Sequence, residues 1–516
     1  MKIISALEAA KLVRDGDSIT TEGFLNSVYP EKLVSTLENL FLETGHPKDL
    51  ILCLGGGKGT GGWENLGLNH FAHEGFIKRF MGSHTGVCRK LEQMVADNKI
   101  PGYTYPQGIA GAIFRAAGAG QPGILSKIGL GTFIDPRVGE GGKMNALAFE
   151  EDYEVVRVMT IDGEDYLYYR THPIDVAFLR GTTADENGNI SIEKEALNLD
   201  LLPIAQATKA TGGKVFFQVE RICATGTLHP RAVKIPGVLV DYVIVSEPEY
   251  HQQTLTYSYN PAYTGEIRVP VRESTEKKDE QVTVKKIIQR RAAFELKGLK
   301  GVLNLGIGSS DGVVAAAREL GIKHELISTC ESGTINGVPA TGLDFGAATN
   351  PEAIIDMVDM FSIYNGYGLD FTALGMGQAD QYGNVNTTKF GSRAPGPGGF
   401  IDISQSARKA VFVGAFTAGK LEVKVEDGQL KIIQEGNIRK FVKQVEQISF
   451  SGTEATRNKQ DVWYVTERAV FHLEEGKMVL MEIAPGIDLE KQILALMDFK
   501  PIVSPNLRVM DQSIFK

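Results

Sequence analysis

Two stretches of this chain, 195 positions apart, carry matched residues in the same order, and that register constrains the fold more than any other feature of its 516 residues. Ile174-Asp175-Val176-Ala177-Phe178-Leu179 leads to Ala184-Asp185-Glu186-Asn187-Gly188-Asn189-Ile190 and then to Lys214-Val215-Phe216-Phe217. Leu369-Asp370-Phe371-Thr372-Ala373-Leu374 leads to Ala379-Asp380-Gln381-Tyr382-Gly383-Asn384-Val385 and then to Lys409-Ala410-Val411-Phe412. About forty residues repeat without a gap, so each half is expected to hold a strand, an Asp-x-x-Gly-Asn turn, a helix and a second strand in matching places. The chain is too long for one ordinary core, and two similar domains follow.

The remaining pattern is α/β. Helical periodicity runs over 5–15 and 30–43, short apolar strands are expected at Ser18 to Thr21 and Leu50 to Leu54, and a helix at Gly108 to Ala117. Such alternation indicates mostly parallel sheets covered by helices. Two hairpins interrupt it, turning at Asp162-Gly163 and Asp427-Gly428. The stretch from Asn260 to Val282 is polar, rich in both charges and contains two prolines, as a surface linker would. The expected fold is therefore two similar open α/β domains, residues 1–260 and 284–516, joined by a linker at 261–283. A helix restarts at Val284, and its Lys285-Lys286 and Arg290-Arg291 read as a solvated face, with phosphate contact as the alternative.

A net charge of −9 argues against nucleic acid as the principal partner. No apolar stretch approaches the roughly 18 residues of a bilayer span, so no membrane partner is expected. Cys53, Cys88, Cys223 and Cys330 are too dispersed for a metal knuckle or disulfide framework and suit a reducing cytoplasm. No metal site is expected.

Chemistry concentrates in loops rich in glycine, whose 58 copies are the compositional outlier. Gly55-Gly56-Gly57-Lys58-Gly59-Thr60-Gly61-Gly62 fails as a phosphate loop, because Gly57-Lys58 runs into glycine rather than Ser or Thr. It is either a loop near a ligand or a structural turn. Gly306-Ile307-Gly308-Ser309-Ser310-Asp311 opens a helix, as a tight turn or as an anion-receiving helix start. The strand His324 to Cys330 delivers Glu331 into the loop Ser332-Gly333-Thr334-Ile335-Asn336-Gly337. Ligands of open α/β sheets bind beyond the carboxyl ends of strands, so Glu331 sits where chemistry is usually done, or else is a solvated acid. No counterpart to Glu331 is evident in the first half. Cys330 reads as a buried strand thiol. Pro106-Gln107-Gly108 and Gly396-Pro397-Gly398-Gly399-Phe400 could supply oxyanion donors or be simple turns.

Taken together with Val465-Thr466-Glu467-Arg468-Ala469-Val470-Phe471 and Ala484-Pro485-Gly486-Ile487-Asp488-Leu489, these motifs resemble class I CoA-transferases, most closely the fused single-chain short-chain acyl-CoA enzymes, over essentially the whole chain. The resemblance implies two domains of the glucosamine-phosphate-deaminase type, α-type then β-type, with the active site between them. It implies ping-pong exchange of CoA between an acyl-CoA and an acetate, propionate, butyrate or acetoacetate type of acid. Glu331 matches the family's catalytic glutamate, and Gln107, Gly398 and Gly399 match positions used or bordered for oxyanion stabilisation. Coenzyme A enters as a substrate, no cofactor is tightly bound, the location is cytoplasmic and the assembly is a homo-oligomer. Met357 to Gly368 and Thr334-Ile335-Asn336 depart from the family pattern, which leaves the acyl group open. Rival readings on the same fold are an acyl-CoA thioesterase, a sugar-phosphate isomerase and a non-catalytic acyl-CoA-binding regulator.

Overall fold

The computed structural model describes residues 1–270 and 282–516. Each half is built on five parallel strands. In the first half these are β1 (Ser18–Thr21), β2 (Leu50–Cys53), β3 (Val176–Arg180), β4 (Lys214–Val219) and β5 (Tyr242–Val245), in spatial order β5-β4-β3-β1-β2. In the second they are β6 (Lys300–Leu305), β7 (Glu325–Thr329), β8 (Phe371–Gly375), β9 (Lys409–Val413) and β10 (Asp461–Val465), in the order β10-β9-β8-β6-β7. The two orders correspond strand for strand, and both reverse direction of winding beside the first strand of the set, the point where open α/β sheets place ligands. Lys2–Ile3 extends the first sheet beyond β5, and Ile77–Met81 with Gly102–Tyr103 extends it beyond β2. The second sheet gains antiparallel strands at both edges.

The 195-residue register is kept in three dimensions. β3 and β8 span matching positions, and both are followed by the same turn. Asp185 Oδ1 accepts the N–H groups of Asn187 and Asn189, each at 2.9 Å, and Asp380 Oδ1 accepts those of Tyr382 and Asn384 at 2.9 and 3.1 Å. The second carboxylate oxygen takes the Asn189 or Asn384 side-chain amide. The turn closes through Gly188 and Gly383 at φ +86° and +78°, which explains why glycine stands at the same place in each copy. Both expected hairpins form, with Asp162, Gly163, Asp427 and Gly428 all at positive φ.

One continuous apolar cluster runs through both halves, joining Phe24, Leu179 and Phe217 to Phe361, Phe412 and Phe471. A second cluster around Leu33, Leu52 and Phe80 belongs to the first half alone. Among the described residues no helix is long and apolar enough to cross a membrane.

Two expectations need correction. The first helix ends after Ala6–Ala10 rather than reaching Asp15. In the helix Val284–Ala293, Lys285 is exposed, but Arg290 and Arg291 are buried rather than part of a solvated face. Arg291 pairs with Glu482 at 2.6 Å and Glu295 at 2.9 Å, and Arg290 pairs with Glu319 and donates to the Ile514 carbonyl at 3.0 Å. Glu295 is four residues from Arg291, but Glu482, Glu319 and Ile514 lie far away in sequence, so local charge pattern could not reveal the burial. Residues 271–281 of the expected linker lie outside the described residues.

The Glu467-Arg468 motif is also structural. Arg468 is fully buried, bonded to Glu467 at 2.6 Å and Glu435 at 2.7 Å, while Glu467 accepts the Phe416 N–H at 2.9 Å. Arg468→Ala strands a buried carboxylate and is expected to destabilise the fold by about 3–5 kcal/mol. Denaturant unfolding monitored by circular dichroism measures this; a loss under about 1 kcal/mol would contradict it.

Candidate active site

β7 ends against Cys330 and hands the chain to Glu331, directly beside the end of β6. The loop after it is tight. Gly333 has φ +114°, and a Cβ there would lie 2.1 Å from the Ile355 carbonyl oxygen, so no side chain fits. Ser332 Oγ donates to the Gly346 carbonyl at 2.8 Å and fixes the far side of the loop. Glu331 is partly exposed, and its Oε2 accepts from Asn304 Nδ2 and Cys330 Sγ, each at 3.3 Å. Desolvation raises its carboxyl above the usual glutamate range, opposed by these hydrogen bonds. Asn304 comes from β6 and is held in turn by Tyr364, whose hydroxyl lies 3.3 Å from Asn304 Nδ2 and 2.8 Å from Thr329 Oγ1. Burial pushes the Cys330 thiol well above its ordinary range, so it is the inert buried thiol expected.

Gln107 opens helix α1 (Gln107–Gly118), immediately after Pro106. Its main-chain N–H donates to the Gly398 carbonyl at 2.9 Å, and Gly398 N–H donates to the Ser83 carbonyl at 2.9 Å. Gln107 and the Gly398-Gly399 loop, nearly three hundred residues apart in sequence, are therefore joined directly. The next residue, Gly108, donates to Asp402 Oδ2 at 3.1 Å, and a Cβ there would meet the Phe361 ring at 2.7 Å. Burial pushes Asp402 up to about 7. It lies in helix α3 (Phe400–Ser406), which Gly399 precedes. Because Gly398 N–H is already engaged, it is not free to meet a substrate; Gly399 N–H donates to no group among the described residues.

Helix α2 (Met357–Gly366) connects these parts. Met357 Sδ lies 3.2 Å from Gln107 Nε2, Phe361 packs against Gly108 and Gly399, and Tyr364 supports Asn304 and Thr329 below Glu331. One rigid helix thus spans from the glutamine to the glutamate support. This is the segment that departs from the family pattern, and its role rests on contacts that a linear reading does not reveal. Asn304 was not expected in the site; Met357 and Tyr364 lie in the stretch whose departure from the family pattern left the acyl group open, but no individual role was read for them.

The Gly55 to Gly62 loop follows β2, the strand that corresponds to β7. Its lysine does not reach outward as a phosphate-loop lysine would. Lys58 is fully buried, donating to the Gly56 carbonyl at 3.1 Å with its ammonium 4.0 Å from the equally buried Glu22. Gly67–Phe71 after it is a short 3-10 turn, so no dinucleotide-type helix opens here.

The chain matches the coenzyme A transferase family over residues 3–246. It is 43% identical to caffeate CoA-transferase of Acetobacterium woodii, covering 100% of this chain and 97% of that one. It is 39% identical to acetate CoA-transferase YdiF of Escherichia coli K12, covering 99% and 95%. The crystal structure of the acyl-CoA transferase YdiF apoenzyme from E. coli O157:H7 superposes with a TM-score of 0.92 at 38% identity, covering 100% of this chain and 96% of the other. A YdiF thioester complex with CoA superposes with a TM-score of 0.91 at 38% identity.

Proposed function

The chain belongs to the coenzyme A transferase family and is a CoA-transferase, and from that premise we propose that it moves CoA reversibly from a short-chain acyl-CoA to a free carboxylic acid through a thioester on Glu331. The Glu331 carboxylate attacks the thioester carbonyl, giving an acyl-glutamyl anhydride and CoA thiolate. The thiolate then attacks the glutamyl carbonyl of that anhydride, releasing the acyl group as a carboxylate and leaving glutamyl-CoA. An acceptor acid reverses both steps and leaves as its CoA ester. Each tetrahedral intermediate places negative charge on a former carbonyl oxygen, and the Gln107 amide with the Gly399 N–H is suited to receive it. A carboxylate is a modest nucleophile, so the binding energy of CoA must position the reactants.

The observation that carries this reading is the support of Glu331: hydrogen-bonded by Asn304 at the strand end and tied through α2 to Gln107. The thioester complex known for YdiF adds to it. Acetyl-CoA alone should add a CoA-sized mass to the Glu331 peptide, removable by acetate or hydroxylamine. An active enzyme that never shows this adduct would refute the mechanism. Thioesterase action would instead release CoA without an acceptor. A panel of acetate, propionate, butyrate, acetoacetate and caffeate as acceptors identifies the acid.

The nucleophile is the deprotonated form, so activity falls as pH falls through the Glu331 pKa. The acid limb of kcat/KM is expected above 4.5, the ordinary value for a glutamate. Asn304→Ala removes a bond that favours the carboxylate and should move the limb to still higher pH. An unmoved limb in the folded variant would dissociate Asn304 from Glu331 ionisation.

A further inference from the structure

The end of β2 stands in the first sheet where the end of β7 stands in the second. Where the second carries Glu331, the first carries Gly55-Gly56-Gly57-Lys58. The carbonyls of this loop are all taken by the protein. Gly55 O accepts from Ser83 N at 3.3 Å and from Ser83 Oγ. Gly56 O accepts from Lys58 Nζ at 3.1 Å, Gly57 O from Leu25 N at 3.3 Å, and Lys58 O from Leu68 N at 3.0 Å.

In a trans peptide plane the N–H points opposite to the preceding C=O. The N–H groups of Gly56, Gly57 and Lys58 therefore point away from Ser83, from the Lys58 ammonium and from Leu25. Among the described residues none of these three, nor the N–H of Gly55, donates to any acceptor. Gly55, Gly56 and Lys58 are buried. Buried main-chain N–H groups are nearly always paired, and a run of four without protein partners, three of them in buried residues, is a set of donors that a ligand oxygen can take. The loop borders the site already described: a Cβ on Gly56 would lie 3.5 Å from Gln107 Nε2, and one on Gly55 would lie 3.7 Å from Met357 Cε.

We propose that the Gly55–Lys58 main chain is a second oxyanion-binding element, which receives a carboxylate oxygen of the free acid, and that Lys58 is its positioning residue. Lys58 does not touch the acid. Its ammonium, with no exposed surface, draws the Gly56 carbonyl inward and so turns the Gly57 N–H outward. The donor set fits a small monovalent oxyanion rather than a polyphosphate, because the nearby cations are committed elsewhere. Lys58 is bound to Gly56 O beside Glu22, and Arg89 donates to Gly61 O at 3.2 Å and pairs with Glu92 at 3.1 Å. The absence of a side chain at the three glycines lets a carboxylate approach the backbone closely. Identifying the anion as the acid substrate rests on the transferase reading above; the anion site itself does not.

The test separates the two. In Lys58→Met, discharge of the preformed CoA adduct by acetate is expected to need about tenfold more acetate for half-saturation, the effect of about one lost hydrogen bond. Formation of the adduct from saturating acetyl-CoA should stay within about threefold of wild type, a split that general loosening of the fold would not produce. Unchanged half-saturation in the folded variant overturns the proposal while leaving Glu331 chemistry intact. Independently, wild-type crystals soaked in sodium bromide should show anomalous scattering within hydrogen-bond distance of at least two of the four N–H groups. Bromide there supports the site even if no adduct ever forms, and bromide bound elsewhere with none at this loop overturns it.

Discussion

Exchange of label between acetate and acetyl-CoA is expected to fall by about 10⁴-fold or more in Glu331→Gln, with complete loss of the CoA adduct. The substitution keeps the shape of the side chain and an oxygen for Asn304 Nδ2, but removes the proposed nucleophile. The same change is expected to raise the melting temperature at neutral pH. Burial raises the folded-state pKa of Glu331, so whatever stability its protonated form contributes is fully present below the unfolded-state pKa and is lost as pH rises through the folded one. At neutral pH the native state holds a desolvated charge that the unfolded chain does not, and glutamine removes that penalty. Thermal unfolding at pH 5 and pH 8 should show the larger gain at pH 8. Exchange within about tenfold of wild type would move the nucleophile to another residue.

Gln107→Ala is expected to lower kcat by about 10²–10³-fold with a much smaller change in KM for acyl-CoA, because an oxyanion donor acts on the transition state more than on the bound substrate. The main-chain bond from Gln107 to Gly398 survives the change, so the loop keeps its place. Rapid-quench measurement of adduct formation isolates the step. A rise in KM with kcat unchanged would mean that the glutamine only binds.

The fold was legible in the sequence where the same physical demand is written twice. An Asp that caps its own turn, a glycine with positive φ and a strand on either side form a short local unit, and its second copy 195 residues later removed the ambiguity. The roles proposed for Glu331, Gln107 and the Gly398-Gly399 loop rest on their motifs. The split of roles within that loop was not legible, because whether Gly398 N–H is free depends on Ser83, a residue from the other half. Asn304, and the individual contacts of Tyr364 and Met357 within the stretch 357–368, were not legible for the same reason: each is a contact between distant segments. Arg290 and Arg291 carry the lesson furthest, since a doublet of cations looks like a surface until Glu319 and Glu482 arrive from elsewhere in the chain.

The apolar cluster shared by the halves has a consequence for chain architecture. The principal strands close within residues 2–245 and within residues 300–509; the first set is buried partly in a cluster of its own, whereas the second is buried in the cluster common to both. Each half is topologically complete, but the second has no buried apolar cluster apart from the shared one. Expressed as two separate polypeptides, the second piece would expose its side of the shared cluster and is expected to be soluble only when made together with the first.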